Sequence, residues 1–152
     1  MKNRYQNFTV LLNQITRSIY KIKTEEMNRF DLKSAHVSCL YYLYTSEKPL
    51  TSKELCESCD EDKALISRSL DDLEKRGLVF CEEMKEKRYR TPLHLTGEGK
   101  EIGKYISEKI DALLDSATKG LSLEKRNAMY EGLEIIRNNL EKCVKEKVKQ
   151  ND

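Results

Sequence analysis

The amino-acid sequence predicts a mainly α-helical fold that includes one small β-structure. In residues 64–79, ALISRSLDDLEKRGLV, apolar side chains recur at helical spacing as far as Gly77, a residue type that commonly ends helices. The apolar run 78–81 follows, then a basic stretch, then a second strand-like run that ends at residues 93–96. Helix, strand, charged loop and strand in this order are the outline of a winged helix-turn-helix, with an α+β core and a two-stranded β wing.

Apolar periodicity predicts about six helices in the whole chain. The first covers approximately residues 3–23. Ser34 is the expected N-cap of the second helix. Thr51 and Glu54 have the spacing of a capping box, which starts the third helix at Ser52.

The later helices also have recognisable start signals. The fourth opens after the acidic residues 60–62, whose carboxylates suit the positive end of a helix dipole. The fifth follows the sequence Thr96-Gly97-Glu98, and Ser122 is the expected cap of the sixth.

The domain organisation follows from the apolar faces of the outer helices. We predict one domain over residues 1–152, with a winged-helix core at 32–98 and dimerisation helices at 1–30 and 99–148. The outer helices carry more apolar surface than so small a core covers, so they bury it against each other or against a second copy. A closed monomeric bundle is the alternative. The predicted dimer interface contains Phe8, Leu12, Ile15, Met129, Leu133, Ile136 and Leu140.

Composition sets limits on the partners. The 152-residue chain has 36% charged residues and no run of 18 apolar residues, so we expect a soluble cytoplasmic protein without a membrane partner. Its net charge of +2 is too small to indicate nucleic acid by itself. Any nucleic-acid-binding surface must therefore come from local clustering of charge.

The five cysteines argue against a disulfide framework because their number is odd and their spacing irregular. Cys56 and Cys59 form a C-x-x-C on a predicted helix, for which a structural role is favoured over a metal or redox site. With only two histidines, no zinc site can be composed, and we expect no metal and no cofactor. Cys39 and Cys143 are not expected to respond to oxidants, because neither has a clear basic environment in the sequence.

Two polar surfaces are candidate contacts for double-stranded DNA. Arg68 lies on the outward face of the fourth helix, where a guanidinium reaches a guanine edge or a phosphate. Arg88 lies in the basic stretch of the predicted wing. The whole predicted DNA-binding set is Thr51, Ser52, Lys53, Lys63, Ala64, Ser67, Arg68, Asp71, Lys85, Lys87, Arg88 and Arg90.

Other functions remain as alternatives. Acidic residues outnumber basic ones between positions 60 and 76, which leaves open a winged-helix module that binds protein and no specific DNA. Catalysis finds little support, since the chain has no nucleophile-elbow order and no glycine-rich phosphate loop. A thiol enzyme based on the C-x-x-C is the weakest hypothesis, because that motif lies in a helical setting.

The order of motifs resembles the multiple-antibiotic-resistance-regulator (MarR) family of bacterial transcription factors. Residues 73–79, LEKRGLV, resemble that family's helix-to-wing junction, and residues 95–99, LTGEG, its wing-to-helix junction. The resemblance implies a homodimer on a palindromic operator, often a repressor released by a small ligand or by thiol oxidation, and in a few members regulated by zinc. One departure is the wing tip, where Lys87-Arg88-Tyr89 stands in place of the family's Asp-Arg-Arg.

The resemblance also implies a site for a small aromatic effector between the dimerisation helices and the winged core. The predicted ligand-binding residues are His36, Tyr41, Tyr42 and Tyr44, all on the second helix. Aromatic faces with a few polar groups suit an amphipathic aromatic ligand. Ordinary packing at helical spacing is the alternative interpretation.

Overall fold

The structure is a computed structural model that describes residues 3, 6–59, 61–82 and 91–149. Within these residues it contains six α-helices and three short strands. They are α1 (Leu11–Met27), α2 (Ser34–Thr45), β1 (Leu50–Thr51), α3 (Ser52–Cys59), α4 (Lys63–Lys75), β2 (Val79–Cys81), β3 (Pro92–Leu95), α5 (Gly97–Ala117) and α6 (Leu123–Lys149). A π-helical turn, Gln6–Val10, precedes α1, and a 3-10 turn, Asn28–Phe30, follows it. The chain forms two compact units, Met1–Asp111 and Ala112–Asp152.

The predicted mainly helical, winged-helix fold class is confirmed, with one addition to the sheet. The wing strands β2 and β3 pair antiparallel, as predicted, but β1 pairs with the other side of β3 and gives the order β1-β3-β2. Leu50 lies opposite Leu93, and Thr51 lies opposite Pro92. The prediction of a two-stranded β-structure missed β1 because two residues are too few to show an alternating pattern.

The N-terminus of α2 differs from the prediction. Ser34 is the first helical residue and Lys33 is the N-cap, so the assignment of Ser34 as the cap was wrong. The backbone N–H of Lys33 donates to Nδ1 of His36 at 3.2 Å. The imidazole of His36 therefore accepts the N–H of the N-cap residue, a role that Glu or Gln has in a standard capping box.

The capping box of α3 is confirmed. The Thr51 backbone N–H donates to the Glu54 carboxylate at 2.8 Å, and the Glu54 N–H donates to Thr51 Oγ1 at 3.3 Å. The bond from the Thr51 N–H, with bonds from the Lys48 ammonium and the Thr51 hydroxyl, lowers the pKa of Glu54 to about 2. The box joins β1 directly to α3.

The core of the first unit lies between α2, α3, α4 and the sheet. The predicted apolar face of α4 is buried along its length, at Ile66, Leu70 and Leu73. Leu40 of α2 and Leu55 of α3 complete this centre with no exposed surface. Because one face of α4 is fixed in this way, its other face is presented to solvent.

The two junctions that resemble the MarR family contact each other. Gly77 ends α4 with a φ of +68°, and the Thr96 hydroxyl donates to its carbonyl at 2.7 Å. The Thr96 hydroxyl in turn accepts the Gly99 N–H at 3.0 Å, which caps α5. A Cβ on Gly99 would collide with the Leu78 backbone carbonyl, so only glycine allows this approach.

Arg76, within the first of these junctions, has a structural role. Its guanidinium donates to the backbone carbonyl of Asp31 at 2.8 Å and to that of Phe30 at 2.6 Å. Asp31 has a left-handed backbone, with a φ of 53°. Arg76 thus ties the end of α4 to the turn between α1 and α2.

Replacing Gly99 by alanine tests the contact between the junctions. We expect Gly99→Ala to lower the free energy of unfolding by about 1–3 kcal/mol, because the added methyl group meets backbone that cannot rotate away. Gly97→Ala is the matched control, since its Cβ would have no atom within 4 Å. Urea unfolding followed by circular dichroism measures both. Equal stability of the two variants would contradict the close approach.

Candidate nucleic-acid interface

The predicted DNA-binding residues of α3 and α4 meet on one surface of the first unit. A concavity of about 280 Å³ lies there, next to the wing strands. Its lining includes four predicted residues, Ser52, Lys63, Ser67 and Asp71. The rest of the lining is Leu70, Glu74, Cys81 and Leu93. Sequence analysis missed Cys81 and Leu93 because their place depends on the strand register, in which they lie opposite each other.

The exposed face of α4 is polar and starts at a well-formed helix end. The Asp62 carboxylate caps the helix by accepting the N–H groups of Ala64 at 2.7 Å and Leu65 at 3.0 Å. The side chains of Lys63, Ala64, Ser67 and Arg68 are exposed. Within the described part of the chain, no hydrogen-bond or ion-pair partner holds the Arg68 guanidinium.

The acidic residues of this region are partly used by the fold itself. Asp62 caps the helix, Asp72 Oδ2 lies 3.5 Å from His36 Nε2, and Glu74 accepts the Cys81 thiol at 3.2 Å. The fold therefore gives these three acidic residues structural roles, although each carboxylate keeps its negative charge near the outward face of α4.

The predicted contacts at the start of α3 have different environments. The Thr51 hydroxyl is engaged with Glu54, at 2.9 Å, so its role here is structural. Ser52 is half-buried and lines the concavity. Lys53 is exposed and lies 3.9 Å from Glu57 one turn on, a solvent-exposed pair that contributes little and opens readily.

The basic residues predicted for the wing, Lys85, Lys87, Arg88 and Arg90, lie outside the described residues. The strands on either side of them are described. Val79 pairs with Leu95, and Cys81 pairs with Leu93. Val79, Leu93 and Leu95 are buried, so the base of the wing is fixed on the core.

His36, a predicted ligand-binding residue, is buried, with 3% of its surface exposed. Its Nδ1 accepts the Lys33 N–H and its Nε2 faces Asp72. Burial lowers the pKa of His36, and the Asp72 carboxylate opposes that shift only in part. The neutral imidazole thus connects the start of α2 to the middle of α4.

The four predicted ligand residues do not share one concavity. The rings of Tyr41 and Tyr42 contact each other edge to face, with centroids 5.2 Å apart. Tyr44 is exposed and lines a concavity of about 350 Å³ together with Phe80 and His94. The lining of this concavity does not include His36, Tyr41 or Tyr42. The predicted effector site stays a prediction.

The residues predicted to form the dimer interface are largely solvent-exposed in the single chain. Phe8 and Ile15 are exposed in the first unit, as are Met129, Leu133 and Leu140 in the second. Leu12 and Ile136, which belong to the same predicted set, are half-buried.

Membrane-spanning helices and metal-binding clusters are both absent from the described residues. No helix among them has the length and apolar character needed to cross a membrane. Nor do they contain a group of three or more His, Cys, Asp or Glu side chains arranged to hold a metal ion.

The geometry defines the class as a winged helix-turn-helix protein, and comparison with known proteins finds a family match for part of the chain. Residues 30–86, which include α2, α3, α4 and β2, match the MarR family. The resemblance to MarR transcriptional regulators is thereby confirmed for this segment.

Three known proteins are similar to the chain over most of its length. The chain is 29% identical over 121 residues to the HTH-type transcriptional regulator YfiV of Bacillus subtilis (strain 168). These residues make up 80% of this chain and 75% of YfiV. NMB1585, a MarR family regulator from Neisseria meningitidis, superposes with a TM-score of 0.81 at 22% identity, over 95% of this chain and 99% of that protein. The MepR–DNA complex of S. aureus superposes with a TM-score of 0.79 at 19% identity, over 90% and 99%. At these identities the two solved structures establish the fold.

The lowered pKa of His36 predicts a pH dependence of stability. Below about pH 6.5 the unfolded chain binds a proton at His36 more readily than the folded chain. This contribution to stability is therefore complete above pH 6.5 and is lost as the pH falls toward the folded-state pKa, with a slope of at most about 1.4 kcal/mol per pH unit. Urea unfolding of wild type and His36→Gln between pH 5 and 8 measures it. His36→Gln should lose this pH dependence of the free energy of unfolding. His94→Gln retains His36 and should keep the pH dependence. A slope in His36→Gln identical to that of wild type would contradict the assignment of the pH dependence to His36.

Proposed function

We propose that the chain is a DNA-binding transcriptional regulator, a repressor that binds a palindromic operator as a homodimer and is released by a small-molecule or redox signal. The observation that carries the proposal is the outward face of α4, where Lys63, Ser67 and Arg68 are exposed while the opposite face is buried. The cytoplasm, where bacterial DNA lies, is the proposed place of action.

The outward face of α4 has the chemistry of a recognition helix. Ala64 and Ser67 are small, so the helix backbone can approach the edges of bases in a major groove. Arg68 carries a guanidinium that can donate two hydrogen bonds to one guanine. The superposition with the MepR–DNA complex supports the same use of this fold.

The concavity beside α4 supports a proposal of phosphate contacts next to the proposed base contacts. Lys63 at the start of α4 and Ser52 at the start of α3 both line it, so a lysine ammonium and a hydroxyl face the same space as the recognition helix. Contacts of this kind fix the register of a protein on the duplex. We propose that Lys53 and the basic residues of the wing, including Arg88, extend the phosphate-binding surface.

The homodimer is proposed from the apolar surface that each unit exposes. Leu133 is 39% exposed and Leu140 is 54% exposed on α6, and Ile15 is 54% exposed on α1. Leu133, Ile136 and Leu140 recur at the spacing of one helix face, and an exposed apolar helix face is typical of an interface between chains. A two-fold axis would place two copies of α4 about 34–36 Å apart, one turn of the duplex, and so match a palindrome.

A small aromatic effector is proposed for the concavity around Tyr44. Phe80 and His94 stack there with their ring centroids 5.3 Å apart, and Lys100 lies on the same lining. Aromatic faces beside a cation suit an aromatic carboxylate. This position uses Tyr44 of the predicted set and leaves His36 to its structural role.

The DNA-reading role of Arg68 can be measured. Arg68→Ala should weaken binding to the preferred operator by about 1–3 kcal/mol, because a pair of hydrogen bonds to one base is lost, and binding to unrelated DNA should change much less. The preferred operator is first selected from a random-sequence library with the wild-type protein, and fluorescence anisotropy then gives the two affinities.

Lys119→Ala is the matched control for Arg68→Ala, since it removes one positive charge from an exposed position outside the proposed interface. It should leave both affinities near those of wild type. If no sequence is enriched from the library, or if Arg68→Ala binds the operator as well as wild type, the winged-helix protein-interaction module becomes the better proposal.

The dimer can be tested independently of DNA. Leu133→Asp should shift the protein from dimer to monomer at micromolar concentration, because a carboxylate would be buried without a partner in the proposed interface, at a cost of several kcal/mol. Asn139→Asp places the same side chain at an exposed polar position of α6 and should stay dimeric. Analytical ultracentrifugation measures the masses. A monomeric wild-type protein would refute the proposal.

A further inference from the structure

Asp71 is an acidic residue on the outward face of α4. Because each residue of a helix turns about 100° from the one before it, Ala64, Arg68 and Asp71 project from the same side of α4. Ile66 and Leu73 project from the opposite side and have no exposed surface. The buried side of the helix therefore directs Asp71 toward the side on which DNA is proposed to lie.

Asp71 also lines the concavity between α4 and the wing strands. Ser67, one turn before it, and Lys63, two turns before it, line the same concavity. Asp71 is half-buried there. Its carboxylate thus belongs to the surface from which the lysine and the serine are proposed to contact DNA.

A carboxylate on such a surface repels the phosphates of every DNA sequence. This cost is offset only where a base supplies a hydrogen-bond donor, because an ionised carboxylate only accepts hydrogen bonds. In the major groove cytosine presents the N4 amino group, and adenine presents the N6 amino group beside the acceptor N7. Guanine and thymine present acceptors. A carboxylate therefore favours cytosine and rejects guanine and thymine.

We propose that Asp71 determines operator specificity by accepting a hydrogen bond from the N4 amino group of one cytosine in each half-site. This inference rests on the proposed DNA-binding function and specifies its substrate. Arg68 and Asp71 lie three residues apart, which is about 4.5 Å along the helix axis. Neighbouring bases of a strand are about 3.4 Å apart. The cytosine thus lies no more than one base pair from the guanine that Arg68 contacts.

Arg68 and Asp71 have opposite effects on binding to unrelated DNA. The guanidinium attracts phosphates whatever the sequence, whereas the carboxylate repels them. Asp71 therefore raises the ratio of operator binding to unrelated binding by excluding the wrong sequences. This difference in sign separates a specificity-determining residue from a residue that adds affinity.

Selection from a random-sequence library tests the inference, with the full chain as wild type and as Asp71→Asn in parallel. Wild type should enrich a cytosine at one position of each half-site, at or next to the base pair that carries the guanine. Asp71→Asn should enrich adenine at that position, because an amide pairs with N6 and N7 of adenine, and should keep the guanine. Sites of the variant that retain the cytosine would overturn the inference.

Fluorescence anisotropy measures the size of the effect. Exchanging the C·G pair for T·A at this position should weaken wild-type binding about 5- to 150-fold and should weaken Asp71→Asn much less. Asp71→Asn should bind unrelated DNA severalfold more tightly than wild type does. Asp115→Asn, the matched control, removes the same charge from an exposed position of α5 and should select and bind as wild type does.

The outcomes separate this inference from the proposed function. If wild type enriches no sequence, the regulatory function fails and the inference fails with it. If wild type enriches an operator but Asp71→Asn gains affinity equally for all sequences, the carboxylate acts by its charge alone. If Asp71→Asn instead loses the guanine, Asp71 positions Arg68 and contacts no base. Either of these last two results overturns only the inference.

Circular dichroism establishes that the variants are folded. Asp71→Ala serves as a second variant if Asp71→Asn unfolds. It should lose the preference for cytosine without gaining one for adenine, because a methyl group neither donates nor accepts hydrogen bonds. Retained selection of cytosine by a folded Asp71→Ala protein would also overturn the inference.

Discussion

The contact between the two glycine-containing junctions determines how the winged helix is assembled. Gly77 turns the chain out of α4, and Thr96 holds that turn while capping α5 through the Gly99 N–H. The absence of a side chain at Gly99 lets the start of α5 approach the Leu78 carbonyl. The beginning of β2 and the end of β3 are therefore fixed at one point, and the direction of the wing relative to α4 follows from it.

Helix α2 connects the elements that carry the proposed functions. His36 links its start to α4, Cys39 in its middle belongs to the same buried cluster as Leu55 of α3, and Tyr44 near its end packs closely against Gly103 of α5. Each link lies on a different turn of the helix.

The sequence predicted those features of the fold and the site that depend on local spacing. The buried stripe of α4, the capping box at Thr51 and the cap at Ser122, which accepts the Lys125 N–H at 3.3 Å, are patterns over three to seven residues. Three of the predicted DNA contacts on α4, Lys63, Ser67 and Asp71, also line one concavity, because their position on the outward face follows from the buried one.

Features that depend on distant residues were not predictable in this way. The hydrogen bonds from Arg76 to the turn after α1, the two-residue strand β1, and the hydrogen bond from Lys23 of α1 to Ser38 of α2 each require the tertiary fold. Arg76 is instructive because its position beside recognition-helix residues favours a DNA contact, yet both terminal nitrogens bond backbone carbonyls.

Structural use of charged and polar groups changes the electrostatic interpretation of the recognition helix. Asp62, Asp72 and Glu74 each accept a hydrogen bond or face an imidazole within the protein, whereas Arg68 has no such partner among the described residues. The residues that the fold engages are thus mostly acidic, and those left exposed at the start of α4 are basic or small. The net charge of +2 therefore does not describe the local charge of this face, because exposed Lys63 and Arg68 place positive charge where α4 would meet a phosphate backbone.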